Sequence, residues 1–127
     1  MLKGAVLYAK DLGMLAEFYL ALGGTATSAQ EGEFVTIEAH GSELIILQAP
    51  QHVASQIQIT DPPAVRASTP IKPILLVDSI DETIAKFPKC GGMILAESSR
   101  WEFNGHLVQD IVDPEGNVVQ LWQVLTS

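Results

Sequence analysis

The chain has 127 residues, a length that fits one domain and allows a core to form without disulfides or metal. Hydrophobic residues make up 47% and charged residues 17%, which excludes intrinsic disorder, and the apolar runs are far shorter than the roughly 20 residues that cross a bilayer. The net charge of −8 disfavours nucleic acid and anionic membranes as partners, and the single Cys90 excludes an internal disulfide. We therefore expect a soluble, cytoplasmic protein.

The first part of the chain reads as a strand, a helix and three further strands. An apolar run precedes Asp11, which is predicted to be a helix N-cap, and Gly23 is predicted to be a left-handed C-cap. Between them, four apolar residues have the spacing of one helix face: Leu15, Phe18, Tyr19 and Leu22. Three runs with strand composition follow, at 25–29, 34–39 and 43–48.

Residues 50–73 are predicted to be a linker. This segment holds five of the seven prolines, which disfavour regular helices and central strands. Its alternating residues 56–60 are consistent with a short edge strand.

The second part of the chain repeats the pattern of the first. An apolar run leads to Asp78, the predicted N-cap of a helix with Ile80, Ile84 and Phe87 on one face, and Gly91 is the predicted C-cap. Strands are predicted at 93–98, 106–113 and 118–124. The order βαβββ therefore occurs twice.

This duplicated unit resembles the vicinal oxygen chelate superfamily. The resemblance covers nearly the whole chain and rests on Asp11-Leu12 at the first helix start, the Phe18-Tyr19 pair and the sequence DPEGN before the last strand. The family includes glyoxalase I, extradiol dioxygenases, fosfomycin-resistance enzymes and bleomycin-binding proteins. The resemblance implies an α+β fold in a single domain, 1–127. Module one (1–49) and module two (72–127) would curl their sheets around a cleft, with the linker 50–73 between them and the helices outside.

The resemblance also implies where a metal would bind. Metal-dependent members take one ligand from the first and one from the last strand of each module, usually His and Glu. Here those positions fall on Gly4, Ile46, Lys72 and Gln120, of which only Gln120 carries a suitable oxygen. We therefore expect no metal and no other cofactor.

Strand alternation predicts which side chains share the cleft with these positions. Tyr8 follows Gly4, Gln48 follows Ile46 and Trp122 follows Gln120. The predicted ligand-binding residues are Tyr8, Glu38, Gln48, Lys72, Trp101, His106, Gln120 and Trp122.

Three of these predictions have ordinary structural alternatives. Trp101 and Phe103 are placed in a connecting loop, as a lid over a planar ligand or as packing for the core or a dimer interface. Glu38 is placed opposite Lys72, although both could simply be solvated. His106 is too far along its strand to contact Asp110, so each needs another partner. No catalytic residue is assigned.

The leading prediction is a small-molecule binding protein of the glyoxalase/bleomycin-resistance type, metal-free and homodimeric, that sequesters an aromatic or cationic ligand in an apolar cleft. One alternative is a metal-dependent glyoxalase- or dioxygenase-like enzyme, a lyase or oxidoreductase, whose ligands are misaligned here. A second alternative is a non-catalytic dimeric interaction module.

Overall fold

Strands and helices follow the predicted α+β order in a computed structural model, which describes residues 3–66, 71–95 and 100–126. Its elements are β1 (Gly4–Ala9), α1 (Leu12–Leu22), β2 (Thr25–Gln30), β3 (Phe34–Ala39), β4 (Ser42–Gln48), α2 (Gln51–Ala54), β5 (Ile74–Leu76), α3 (Ile80–Ile84), α4 (Phe87–Cys90), β6 (Met93–Ile94), β7 (Trp101–Phe103), β8 (His106–Val112) and β9 (Val118–Val124). They divide into two compact units, unit 1 (Met1–Gln58) and unit 2 (Ile59–Ser127). No helix of the described residues is long and apolar enough to span a membrane.

Unit 1 is a four-stranded sheet with one helix. Its strand order is β1-β4-β3-β2, with β1 parallel to β4 and the other pairs antiparallel. The parallel pair requires a crossover, and α1 provides it. Leu15 and Phe18 of α1 and Ile46 of β4 are fully buried. The predicted helix face therefore packs on this sheet, as its spacing indicates.

Unit 2 repeats this path. Its sheet has the order β5-β9-β8-β6, with β5 parallel to β9, and β7 also pairs with β8. Ile80 of α3, Ile111 of β8 and Leu121 of β9 are fully buried. The predicted duplication of βαβββ is confirmed, whereas the single-domain organisation and the module bounds stay predictions.

The start of the first helix is as predicted, but the start of the second is not. The Asp11 carboxylate accepts a hydrogen bond from the Met14 backbone N–H. In the second module the N-cap is Ser79 and not Asp78, because the Ser79 hydroxyl accepts from the Glu82 backbone N–H. Ser79 and Glu82 have the spacing of a capping box.

The helix ends also differ between the modules. Gly91 is a left-handed C-cap, as predicted, whereas Gly23 has a positive φ of 125° with an extended ψ of 165°. The second helical segment breaks into α3 and α4 because Pro88 lies in the first turn of α4 and has no N–H for a continuous helix.

Two segments differ from their sequence-based predictions. Residues 101–103 form the strand β7, paired with β8, and not a connecting loop. Residues 56–60 do not form an edge strand. Ile57 is instead buried, and its carbonyl oxygen accepts a hydrogen bond from the Lys10 ammonium. Of the strand predicted at 93–98, the structure shows β6, Leu95 is not in a strand, and residues 96–98 lie outside the described ranges.

The predicted linker contains one short helix. α2 begins directly after Pro50, whose missing N–H is no loss at a helix start. The boundary between the two units lies later in this linker, after Gln58.

Candidate functional site

The sheet of unit 2 has one face towards its helices and one face that carries the predicted site residues. Gln123 of β9 accepts a hydrogen bond from the Ile80 backbone N–H, so the face of Gln123, Leu121 and Val119 is the helix side. The opposite face is called the Trp122 face below. It comprises, with Lys72 before β5, the residues Ile74, Leu76, Met93, Trp101, Phe103, His106, Val108, Asp110, Val112, Val118, Gln120, Trp122 and Val124.

An ion pair lies on the Trp122 face. The Lys72 ammonium donates to Asp110 Oδ2 at 2.9 Å, and their side chains are 34% and 7% exposed. Asp110 lies directly opposite Gln120 in the β8–β9 register, and Gln120 lies opposite Ile74. Strand pairing therefore brings Lys72, Asp110 and Gln120 together.

The second carboxylate oxygen of Asp110 is unusual. Asp110 Oδ1 is buried and has no hydrogen-bond partner in the described part of the chain. A buried acceptor without a partner costs free energy, because it loses its hydrogen bonds to water.

An aromatic cluster lies next to these polar groups on the same face and contacts them through Trp122. The Trp122 indole N–H donates to Gln120 Oε1 at 3.0 Å. The ring centroids of His106 and Phe103 lie 4.9 Å and 5.8 Å from that of Trp122. Trp101 lies opposite Val108, which in turn lies opposite Trp122. The structure thus brings together five of the predicted residues: Lys72, Trp101, His106, Gln120 and Trp122.

The environment of His106 indicates its tautomer. Nδ1 lies 2.9 Å from the carbonyl oxygen of Asn104, which can only accept a hydrogen bond. We therefore assign the proton of the neutral ring to Nδ1, which leaves Nε2 as an acceptor. This supplies the separate partner that His106 was expected to need, while Lys72 is the partner of Asp110.

The predicted residues of unit 1 do not share one face. Tyr8 lies opposite Leu47, and Glu38 lies opposite Glu43, so Tyr8 and Glu38 lie on one side of the sheet. Gln48 lies on the other side, where its Nε2 donates to the carbonyl oxygens of Ala9 and Lys10. The predicted grouping of Tyr8 with Gln48 is wrong.

The cause of this error is a shift of one residue. Ile46 lies opposite Leu7 and is fully buried, so it lies on the opposite face from Gly4. Because side chains alternate along a strand, an offset of one reverses every assignment on β4. The predicted contact between Glu38 and Lys72 would join the two units and stays a prediction.

The donor set does not fit the metal site that the resemblance implies. A Cβ at Gly4 would collide with the backbone oxygen of Glu43, and Ile46 lies on the other face. The Lys72 ammonium has no lone pair, and Gln120 Oε1 already accepts from Trp122. Within residues 3–66, 71–95 and 100–126, no three His, Cys, Asp or Glu side chains are placed to hold a metal ion.

Two further groups that the sequence offers for chemistry have structural roles. Asp113 Oδ1 accepts from the backbone N–H groups of Glu115 and Asn117, and Oδ2 accepts from the Asn117 side chain. These bonds hold the turn between β8 and β9. Burial raises the pKa of the Cys90 thiol, which disfavours the thiolate needed for nucleophilic chemistry.

Sequence reasoning missed Asp110 as a site residue. The signal was available in the turn after it, because Asp113–Asn117 joins β8 to β9 and sets Val112 opposite Val118. Counting two residues away from the turn on each strand, from Val112 to Asp110 and from Val118 to Gln120, places Asp110 opposite Gln120.

Comparison with known proteins gives similarity in structure only. No protein-family model matches the chain, and no curated protein is similar to it in sequence. A glyoxalase/bleomycin resistance protein/dioxygenase family enzyme from Burkholderia phytofirmans PsJN has a TM-score of 0.70 at 16% identity, over 97% of this chain and 98% of that one. A glyoxalase/bleomycin resistance protein from Albidiferax ferrireducens T118 has a TM-score of 0.69 at 17% identity, over 98% and 99%.

A bleomycin resistance determinant encoded on the transposon Tn5 is also similar. Its TM-score is 0.57 at 21% identity, over 97% of both chains. At such low identities the comparison establishes the fold. The resemblance found in the sequence is confirmed at that level: this chain has the fold of the glyoxalase/bleomycin resistance proteins.

Proposed function

We propose that this protein binds a small organic molecule on the Trp122 face and sequesters it without a metal ion. The observation that carries the proposal is the cluster of Trp122, His106 and Phe103 beside the Lys72–Asp110 pair. A lining of apolar and aromatic side chains with a few well-placed polar groups is the usual composition of a ligand site.

Exposure supports the same conclusion. Five apolar side chains on this face keep much of their surface in solvent, and the three most exposed are Ile74 at 54%, Phe103 at 55% and Val124 at 54%. Apolar surface of this kind, next to polar groups, is typical of sites that bind a partner or ligand. Trp101, on the same face, is proposed as a further contact, while the ligand contacts predicted for Tyr8 and Glu38 stay predictions.

The metal-free part of the proposal rests on chemistry. An ammonium and an already engaged amide stand where His and Glu would be required, so a divalent ion would meet a cation instead of a ligand. In unit 2 the hydrogen bond from the Lys72 ammonium to Asp110 is the observation against the misaligned-ligand alternative. A homodimer in the cytoplasm remains part of the proposal.

Native mass spectrometry of the purified protein tests these points together. We expect a dimer that carries no divalent ion and retains an organic adduct. One ion per chain, with stability that depends on it, would instead support the enzyme alternative. A dimer with neither a metal ion nor an organic adduct would leave ligand binding to be tested by titration with added compounds.

Bleomycin is a suitable first compound, because a bleomycin resistance determinant has the same fold. We expect it to change the tryptophan fluorescence of the protein, and Trp122→Leu to weaken binding at least about tenfold by removing the ring contact. Glu17→Gln, on the exposed side of α1, is the matched control. If neither bleomycin nor a library of planar compounds binds, the interaction module becomes the better description.

A further inference from the structure

The unpaired oxygen of Asp110 constrains what the Trp122 face can bind. Asp110 is only 5% exposed, and its Oδ1 has no hydrogen-bond partner within the described residues, while Oδ2 receives the Lys72 ammonium. A buried carboxylate normally satisfies both oxygens. The site therefore needs one additional hydrogen-bond donor at Oδ1.

Charge determines which kind of donor fits. Lys72 already neutralises Asp110 at 2.9 Å, so a second cation would meet a net charge near zero and the repulsion of the ammonium. A neutral N–H group satisfies Oδ1 without this cost. This favours a neutral ligand over the cationic one that overall acidity suggests.

The neighbouring groups determine what must lie beside that donor. A lysine ammonium has three N–H bonds, one of which is directed at Asp110 Oδ2. Gln120 accepts from Trp122 at its carbonyl oxygen, and its NH₂ group adds two N–H donors. Next to one acceptor, the site thus offers donors, and a complementary ligand edge has an N–H beside a C=O.

We propose that the Trp122 face recognises the lactam edge of a planar neutral heterocycle, an inference that rests on the proposed binding function. The ring N–H donates to Asp110 Oδ1, the adjacent carbonyl oxygen accepts from Lys72 Nζ, and the ring lies against Trp122. Access to the buried Oδ1 requires a side-chain movement. Lys72, whose side chain is 34% exposed, can make this movement.

A pair of probes that differ in one donor tests the inference. The probes are 2-pyridone and N-methyl-2-pyridone, because the methyl group removes the N–H and keeps the ring and carbonyl. We expect 2-pyridone to bind at least about tenfold more tightly, as judged by chemical-shift titration of the backbone amides and the Trp122 indole N–H. Benzylammonium, a cationic probe, is expected to bind more weakly than 2-pyridone.

A double variant tests whether Asp110 is the acceptor. Lys72→Met with Asp110→Leu replaces the ion pair with apolar side chains, an exchange that buried pairs often tolerate. We expect the double variant to bind the two pyridones with about equal affinity, whereas Glu17→Gln should keep the preference for 2-pyridone. A preference that survives in the folded double variant overturns the assignment. If the double variant does not fold, two measurements on the wild-type protein test the assignment. They are the ratio of its affinities for the two pyridones and the location of the chemical-shift changes, which we expect around β8.

The outcomes separate this inference from the proposed function. Equal affinity of the wild-type protein for both pyridones overturns the lactam assignment and leaves small-molecule binding intact. Absence of binding by either pyridone also overturns it, and the proposed function is then judged by mass spectrometry and the bleomycin titration alone.

Discussion

At the level of single residues, the Lys72–Asp110 pair differs from the Lys3–Glu43 pair in its exposure. Its side chains are 34% and 7% exposed, whereas those of Lys3 and Glu43 are 82% and 28% exposed, with a longer separation of 3.7 Å. Water and salt screen an exposed pair strongly and a buried one much less. The two pairs should therefore respond differently to the loss of the lysine.

Lys72→Met should lower the free energy of unfolding by about 1–3 kcal/mol, because it leaves the Asp110 carboxylate buried without a counter-ion. The loss is smaller than for a fully buried pair because Lys72 is one-third exposed, so that water screens its charge. Urea unfolding measures the change. Lys3→Met is the matched control, with an expected change within about 0.5 kcal/mol. Equal losses in both variants would contradict the special position of Lys72.

The Cys90 thiol should react slowly. Burial raises the pKa of this thiol, so a smaller fraction is thiolate at pH 8 than in an ordinary free thiol. Modification by a disulfide reagent should be slower than that of glutathione at the same pH and should accelerate as the pH rises. Because Cys90 is the only cysteine, the reagent reports on it alone. A rate above that of glutathione at pH 8 would contradict the raised pKa.

At the level of secondary-structure elements, the second helix has two adjacent candidates for its N-cap, Asp78 and Ser79. Ser79 accepts from the Glu82 backbone N–H, and this bond satisfies one of the donors left free in the first turn. Sequence reasoning chose Asp78 by analogy with Asp11, although serine followed three residues later by glutamate is the capping-box pattern.

Ser79→Ala should therefore lower the free energy of unfolding by about 1 kcal/mol, and Asp78→Ala by less than half of that. Paired urea or thermal denaturation of the two variants provides the measurement. A larger effect at Asp78 would mean that the helix starts one residue earlier in solution.

The strands show what the sequence can and cannot predict. β3 and β9 are predicted with their observed bounds, because long β-prone runs end at clear turns. β7 is missed because a run of three residues is too short for its alternation to distinguish a strand from a loop. Gln120 and Trp122 are correctly predicted to share a face, because they lie two residues apart on one strand.

At the level of the whole molecule, two units share one topology and differ in their polar residues. Duplication explains why a single pattern in the sequence predicts both sheets. The polar contacts that suggest a function, between Lys72 and Asp110 and between Trp122 and Gln120, lie within unit 2. The Lys72–Asp110 contact depends on which residues of neighbouring strands lie opposite each other, which no repeat pattern in the sequence shows directly, whereas Trp122 and Gln120 lie two residues apart on β9.

The net charge of the whole chain provides the last prediction. Fifteen acidic and seven basic residues give −8 at pH 7, and this excess of like charge disfavours the compact state. Raising NaCl from 0.01 M to 0.1 M shortens the screening length from about 30 Å to about 10 Å. The melting temperature at pH 7 should therefore rise, by about 2–4 °C for a weakening of the repulsion by about 0.5–1 kcal/mol. Near the isoelectric point of about 4.6 the same addition should have little effect, because the net charge is close to zero there. A melting temperature that falls with salt at pH 7 would show instead that favourable ion pairs outweigh the repulsion.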